Sequence, residues 1–563
     1  MLKARLAMVA MMVGVGMVAL CGNAHAAACR DPFINPAEVQ LGDRLFRETR
    51  FAQFFFAFLQ ADSSRTVNTP LHPPDPTVRF EQNAEGKRLP DPFRAYSMNC
   101  RNCHLGNDLL GVSRFEGRTY CDFAARSPIP PRTGDSRVTT PRNSQPLVSV
   151  SIARPVPFVF HFDGEFASIE DLTLGTMTGR NFGWLPAEFD QAKAHIINVI
   201  KNDNGKNALG RRYGCGGLPY SVILQGTDPR IPAGEVLPAQ YRIGVTTASD
   251  DDILNDIGAL IHAYMDSIAF NLNEPPSPYD VFLAKNGLPT APNQGETNIA
   301  YAQRLLGLID NLQNPQFITQ PKDGVLRLHK GQKFQFGETE LQGLKVFFTQ
   351  MTTSPPSGGG AGNCVACHTP PAFTDDVFHN TGVAQLEFDM AQQAPGAFMS
   401  LNVPDLSTRN ANFDTYLPPS PNHPDATGMF RSPASMGTDN ADLGAWNIVG
   451  NPDIPNPQSA LSQILCAEFN LSGNNCTPEN ILPMAIAFFK TPSIRDTGQS
   501  SPYMHNGSLN ALSDVLNFYG QVSSMARASQ IRNASPELSD VFINQNDIAP
   551  LNAFLNSLNE DYK

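Results

Sequence analysis

Apolar residues recur at three- and four-residue spacing through several stretches of the chain, and the clearest lies at 250–268. Ile253, Ile257, Leu260, Ile261, Tyr264 and Ile268 fall on one helical face there. Asp250, Asp251 and Asp252 precede them, offering an N-cap and negative charge for the positive end of the helix dipole. A second stripe, Phe189, Ala192, Ile196, Val199 and Ile200, follows Pro186 and Glu188, which suit a first turn, and stops near Gly205. A third, Leu512, Val515, Leu516 and Tyr519, ends on Gly520 as the expected C-cap. No alternating stretch competes with these, so the class expected is mainly α.

Between the helical stretches the chain is rich in turn formers. Pro numbers 47 and Gly 43, while charged residues make up only 17%, below the usual quarter. Long ordered loops between helices follow. A Pro- and Asn-rich segment, 273–321, divides the chain in two, and 61–96, 292–330 and 391–478 read as insertions. The segment 354–362, Ser-Pro-Pro-Ser-Gly-Gly-Gly-Ala-Gly, reads as a flexible lead-in. At the N-terminus Lys3 and Arg5 precede an apolar run from Leu6 to Leu20, and Ala24-His25-Ala26 fits a cleavage site. Residues 1–26 are therefore expected to be a secretory signal, too short for a comfortable membrane span, with a periplasmic destination. Cys29 just beyond it weakly resembles a lipidation site, the less favoured reading. The net charge of −12, without a basic run past the signal, excludes nucleic acid as a partner and favours a basic redox protein or a small molecule.

Two copies of Cys-x-x-Cys-His carry the candidate chemistry: Cys100, Cys103 with His104, and Cys364, Cys367 with His368. Thiols three residues apart reach the two vinyl groups of one haem, and the adjacent His falls beneath the iron. Structural zinc would call for further Cys or His at matching spacing. Two covalently bound haem c groups are expected. Each half then holds one: 27–275 the first, 331–563 the second with the insertion 391–478, and 276–330 between them as linker or insertion. Of the other cysteines, Cys466 and Cys476 stand ten apart and could close a local loop, while Cys121 with Cys215 has no support from spacing.

Several segments resemble the bacterial dihaem cytochrome c peroxidase and MauG family. Leu41-Gly42-Asp43-Arg44-Leu45-Phe46 is similar to its opening helix. Pro141-Arg142-Asn143-Ser144-Gln145-Pro146 and Phe160-His161-Phe162-Asp163-Gly164-Glu165 are similar to its Arg-Asn-x-Pro and Phe-Trp-Asp-Gly-Arg elements. Phe373-Thr374-Asp375 with Phe378-His379-Asn380-Thr381-Gly382 follows the second haem motif as in the family. Most specific is Lys490-Thr491-Pro492-Ser493-Ile494-Arg495 running into Ser501-Pro502-Tyr503-Met504-His505-Asn506-Gly507-Ser508. The resemblance covers most of 38–205 and 335–525.

That resemblance implies two cytochrome c-like domains with long loops and insertions. His104 and His368 would be proximal ligands, and Tyr519, at the place where MauG offers Tyr and the peroxidases offer Met, the distal ligand of the second haem. Asn143, Ser500 and Pro502 match a calcium site between the haems, whose oxygen donors suit a hard cation. Phe162 stands where the family carries its inter-haem Trp, and a gapless count puts Phe182 where it carries a distal catalytic Glu. Glu188 is then the expected acid–base residue, and Trp184 a further relay candidate. His505 and His161 are candidates for proton coupling near a haem edge. The activity implied is reduction of hydrogen peroxide to water at the first haem, with oxidising equivalents shared by both and electrons from a small cytochrome c or cupredoxin. The alternatives are an oxygenase similar to the dihaem rubber oxygenases, MauG-like oxidation of a protein side chain, and a pure electron carrier. The oligomeric state stays open, a homodimer included.

Overall fold

The computed structural model describes residues 36–70, 99–100, 103–104, 140–147, 150–151, 154–206, 217–268, 277–319, 335–351 and 360–559. The expected signal at 1–26, Cys29, Cys121, Cys215 and most of 61–96 lie outside them. The first half holds α1 (Ala37–Phe46), α2 (Gln53–Gln60), α3 (Ile169–Met177), α4 (Phe189–Asn202), α5 (Tyr220–Gln225) and α6 (Asp250–Ser267). The second half holds α7 (Pro278–Lys285), α8 (Asn298–Asp310), α9 (Glu338–Phe348), α10 (Val383–Gln392), α11 (Leu406–Ala411), α12 (Phe413–Tyr416), α13 (Gln458–Glu468), α14 (Pro478–Ile481), α15 (Leu512–Arg527) and α16 (Gln545–Asn556). Strands β1 (Phe378–His379) and β2 (Phe489–Lys490) form an antiparallel pair with Phe378 opposite Lys490 and His379 opposite Phe489. The chain is mainly α, as its periodicity indicates. Among the described residues no helix is long and apolar enough to cross a membrane.

One packing device occurs in both halves. In the first, α1 crosses α6 so closely that a Cβ on Gly42 would lie 2.1 Å from the Leu260 carbonyl oxygen. In the second, α9 crosses α16, and a Cβ on Gly343 would lie 1.9 Å from the Pro550 carbonyl oxygen. In each half a helix before the Cys-x-x-Cys-His motif thus meets the closing helix backbone to backbone, which only glycine permits. Phe46 and Phe347, four residues on, are buried on the same helical face. Residue spacing hid this repeat, because 54 residues separate Gly42 plus four from Cys100 but only 17 separate Phe347 from Cys364.

Three large apolar cores form among the described residues. One gathers the first half from Ala37 to Ile268. A second runs from Tyr279 through α9 to Leu558, and a third joins Val159 to residues between Phe378 and Phe488 around Trp446. The stretch 276–330 is therefore not a linker where it is described: Tyr279, Phe282, Tyr301 and Leu305 of α7 and α8 are fully buried in the second half's core. Its prolines flank the helices instead of replacing them, with Pro278 in the first turn of α7 and Ser277 as N-cap. The 391–478 insertion is an excursion from the β1–β2 stem that builds its own core and is stapled by a Cys466–Cys476 disulfide. Two cap expectations change. Ser249, not an Asp, caps α6 by accepting the Asp252 N–H at 3.1 Å, the oxygen geometry that an N-cap requires. Gly520 lies inside α15, which continues to Arg527 because Val522 is drawn into a core with Ile531 and Leu538.

Candidate functional site

The two Cys-x-x-Cys-His motifs fold into the same tight turn. In the first, the Cys103 and His104 N–H groups donate to the Cys100 carbonyl at 3.1 and 3.0 Å; in the second, those of Cys367 and His368 donate to Cys364 at 3.3 and 2.8 Å. None of the four cysteines is in a disulfide. Burial pushes the Cys100 and Cys364 thiols up to about 12, with the neighbouring thiol adding to it. Among the described residues Cys100, Cys103 and His104 join no convergent ligand cluster. Burial lowers His104 to about 4 against the Gln145 backbone, which raises it, so its ring is neutral and able to ligate iron. His368 Nδ1 lies 3.1 Å from the Phe373 carbonyl, which orients the ring and leaves Nε2 for a metal. These residues fit covalently held haem.

A cavity of about 1070 Å³ opens on the first motif. Cys100, Cys103 and His104 line it with Phe160, Phe162, Phe182 and Trp184, and the insertion closes it with Phe413, the 418–421 segment and Arg431. Trp184 is fully buried and donates Nε1–H to the Phe51 carbonyl at 3.1 Å. Glu188 is not brought to this cavity. Its carboxylate accepts the Leu185 N–H at 2.9 Å at the start of α4, a capping role dictated by its place three residues on. Glu165 does line the cavity, as do Asp171, Asp425 and Asp453, and it is paired with His161 Nδ1 at 2.8 Å and with Arg431. Against the upward push of burial, Arg431 and His161 hold Glu165 well below the usual carboxylate range.

A buried ionic lattice supports this wall. Arg142 grips Asp442 with two bonds of 2.6 and 2.7 Å and Asp163 at 2.6 Å, and Arg431 reaches Asp163 at 2.9 Å. Arg142 and Asp163 belong to the motifs singled out in the sequence, whereas Arg431 and Asp442 come from the unmatched insertion, more than 260 residues away. No local signal could have paired them.

Phe162 and His505 meet between the halves. Their rings lie edge to face at 6.3 Å, and His505 stacks on Phe489 at 3.7 Å. The Phe162 carbonyl accepts the Lys490 N–H at 2.7 Å, so this contact is fixed by the backbone of β2. Asn143 is tied to the same place: its N–H donates to the His505 carbonyl at 2.7 Å, and its side-chain amide lies 2.6 Å from the Pro502 carbonyl oxygen. Its Oδ1 accepts the Ser144 N–H at 3.0 Å, so the amide donor faces Pro502, and the calcium set expected here would require the amide turned over. Ser500 ends the neighbouring turn, its N–H bonded to the Thr497 carbonyl. Tyr519, on α15, lies close enough to the second motif that Cys367 and Cys364, after burial, push its phenol upward.

No protein-family model matches the chain. Over 162 residues, 29% of the chain, it is 30% identical to cytochrome-c peroxidase IdrP2 of Denitromonas iodatirespirans. The match spans 29% of that relative's length. Among solved structures, a MauG-like protein associated with microbial copper homeostasis aligns over 94% of this chain and 91% of its own, at 15% identity and a TM-score of 0.40. The diheme peroxidase BthA of Burkholderia thailandensis E264 aligns over 93% and 86%, at 15% identity and 0.42.

Proposed function

We propose that the chain is an exported dihaem c-type peroxidase that reduces hydrogen peroxide to water in the periplasm with electrons from a small, basic cytochrome c or cupredoxin. The observation that carries this reading is the cavity at the first motif, lined by His104 together with Phe160, Phe162, Phe182 and Trp184, while the Tyr519 phenol lies near Cys367 and Cys364 of the second. Cys100 with Cys103 and Cys364 with Cys367 would hold the haems, His104 and His368 would be proximal ligands, and Tyr519 the distal ligand of the second. Bound haem iron would supply the two-electron reduction of the O–O bond. The chain's own part is to shape the cavity and to move protons. The apolar wall of Phe160, Phe162, Phe182 and Trp184 limits water, and His161, oriented by Glu165, is the group we assign to proton transfer in place of Glu188. Asn143 and Pro502 with Ser500 would seat a calcium ion that fixes the two halves, and His505 with Phe162 and Phe489 fills the space between them.

Stopped-flow absorption of the purified diferric protein mixed with stoichiometric hydrogen peroxide tests the reading. A rapid Soret change, reversed by reduced cytochrome c, supports it. Absence of any response to peroxide overturns it. Phe182 at the distal wall favours one second reading, an oxygenase of the rubber-oxygenase type. It predicts a Soret response of the reduced protein to dioxygen with no response to peroxide.

A further inference from the structure

His379 ends strand β1 and is 7% exposed. Its Nε2 lies 2.8 Å from Asp375 Oδ2. Its Nδ1 faces Glu468 Oε1 at 3.7 Å and Glu537 Oε2 at 3.9 Å and makes no hydrogen bond. Glu537 Oε2 is likewise buried and unbonded. These gaps are too long for direct hydrogen bonds, and a bridging water with bonds of ~2.8 Å would spread its partners to roughly 4.5 Å. A tetrahedral zinc ion with bonds of about 2.0–2.2 Å needs donor atoms roughly 3.3–3.6 Å apart. The two distances from Nδ1 exceed that by a few tenths of an ångström, and all three donor atoms lie within 4.8 Å of one another.

We propose that His379 Nδ1, Glu468 and Glu537 bind one divalent cation of the zinc class, with water in the remaining position. The proposal goes beyond the peroxidase reading and does not depend on it. Asp375 accepts Nε2–H, the usual outer support of a metal-bound histidine, and a metal at Nδ1 would displace the ring's second proton. Without a metal ion, burial opposes charging the ring, but Cys367 and Asp375 outweigh it and push His379 well up, so an imidazolium faces the carboxylates. One imidazole with carboxylates suits zinc better than calcium, which prefers oxygen alone. The Cys367 sulfur also lies near His379 but belongs to the attachment pair, so it is not counted as a donor.

The three donors come from segments already held in register. Glu468 closes α13 two residues after Cys466 of the disulfide. Glu537 is placed by mutual bonds between Asn380 and Ser535, at 2.9 and 3.1 Å, and by Asn363, whose side-chain amide donates to the Glu537 carbonyl at 3.0 Å. Asn363 directly precedes the second Cys-x-x-Cys-His motif. The ion would therefore clamp that turn, the insertion and the segment after α15 together.

The test uses the full chain with its haem, stripped with a chelator and dialysed against zinc chloride with calcium in excess. Elemental analysis of wild type should find one zinc per chain and E468Q/E537Q none, with unchanged haem absorption in both. Zinc should raise the thermal midpoint of wild type only. E537Q alone, in a partly exposed turn, keeps the test valid if the double variant misfolds, and should weaken zinc binding by more than about tenfold. Failure of wild type to retain zinc overturns the proposal. Equal retention by the variants also overturns it, since the ion then sits elsewhere.

Discussion

Tyr519 and Glu188 show how far a single side chain can be read. As the proposed ligand, the phenol near the second motif would be hard and anionic and would favour the oxidised iron, while a thioether would do the reverse. Y519M should therefore raise the second haem's reduction potential in a spectroelectrochemical titration, and Y519F should turn that haem high-spin in electron paramagnetic resonance. An unchanged spectrum in both would remove Tyr519 from the ligand set. At the first haem, H161Q should slow the reaction with peroxide by roughly 10²-fold, at the low end of what a proton-transfer group contributes. E188A should leave that rate unchanged and cost about 0.5–1 kcal/mol in urea unfolding, because its carboxylate satisfies the Leu185 N–H. The Cys-x-x-Cys-His turns were fully legible, since their geometry is local. Glu188 was not, because one carboxylate three residues into a helix satisfies a cap and a cavity role equally well until the fold shows which way it faces.

The same limit appears among the helices. Periodicity located α4, α6 and α15 because each buries a stripe, but it misjudged the end of α15, where the core with Ile531 and Leu538 overrides the roughly 1 kcal/mol cost of an interior glycine. It also took the stretch holding α7 and α8 for a linker or insertion, since prolines punctuate it without entering the helices past their first turn. The glycines that matter most are Gly42 and Gly343. Alanine at either would force the paired helices apart, so G42A and G343A should each lose at least about 1–3 kcal/mol of stability. G520A should be tolerated, because a Cβ there meets Ile543 no closer than 3.7 Å, an ordinary contact. Thermal denaturation of the three variants ranks them, and equal midpoints would refute the close-crossing account.

Across the whole molecule the halves are joined by charges that no single segment announces. Arg142 comes from the first half and Asp442 from the insertion of the second, both buried, with Asp163 and Arg431 completing the lattice beside the cavity. Burial pushes the Asp442 carboxyl up, but the Arg142 guanidinium outweighs it and holds the folded value at about 2 against an ordinary 3.8. The unfolded chain therefore takes up this proton first as pH falls. The pair's contribution is complete above pH ~4 and is lost as pH drops toward ~2, a span equivalent to about 2 kcal/mol. D442N should remove that part of the acid transition and cost about 3–5 kcal/mol at neutral pH, because Arg142 loses a buried partner. Since Arg431 and Glu165 share the lattice, the loss should reach the cavity. In an acid titration of the wild type, the Soret band of the first haem should shift before helical circular dichroism falls. Coincident transitions in wild type and D442N alike would show that the lattice neither joins the halves nor shields the site.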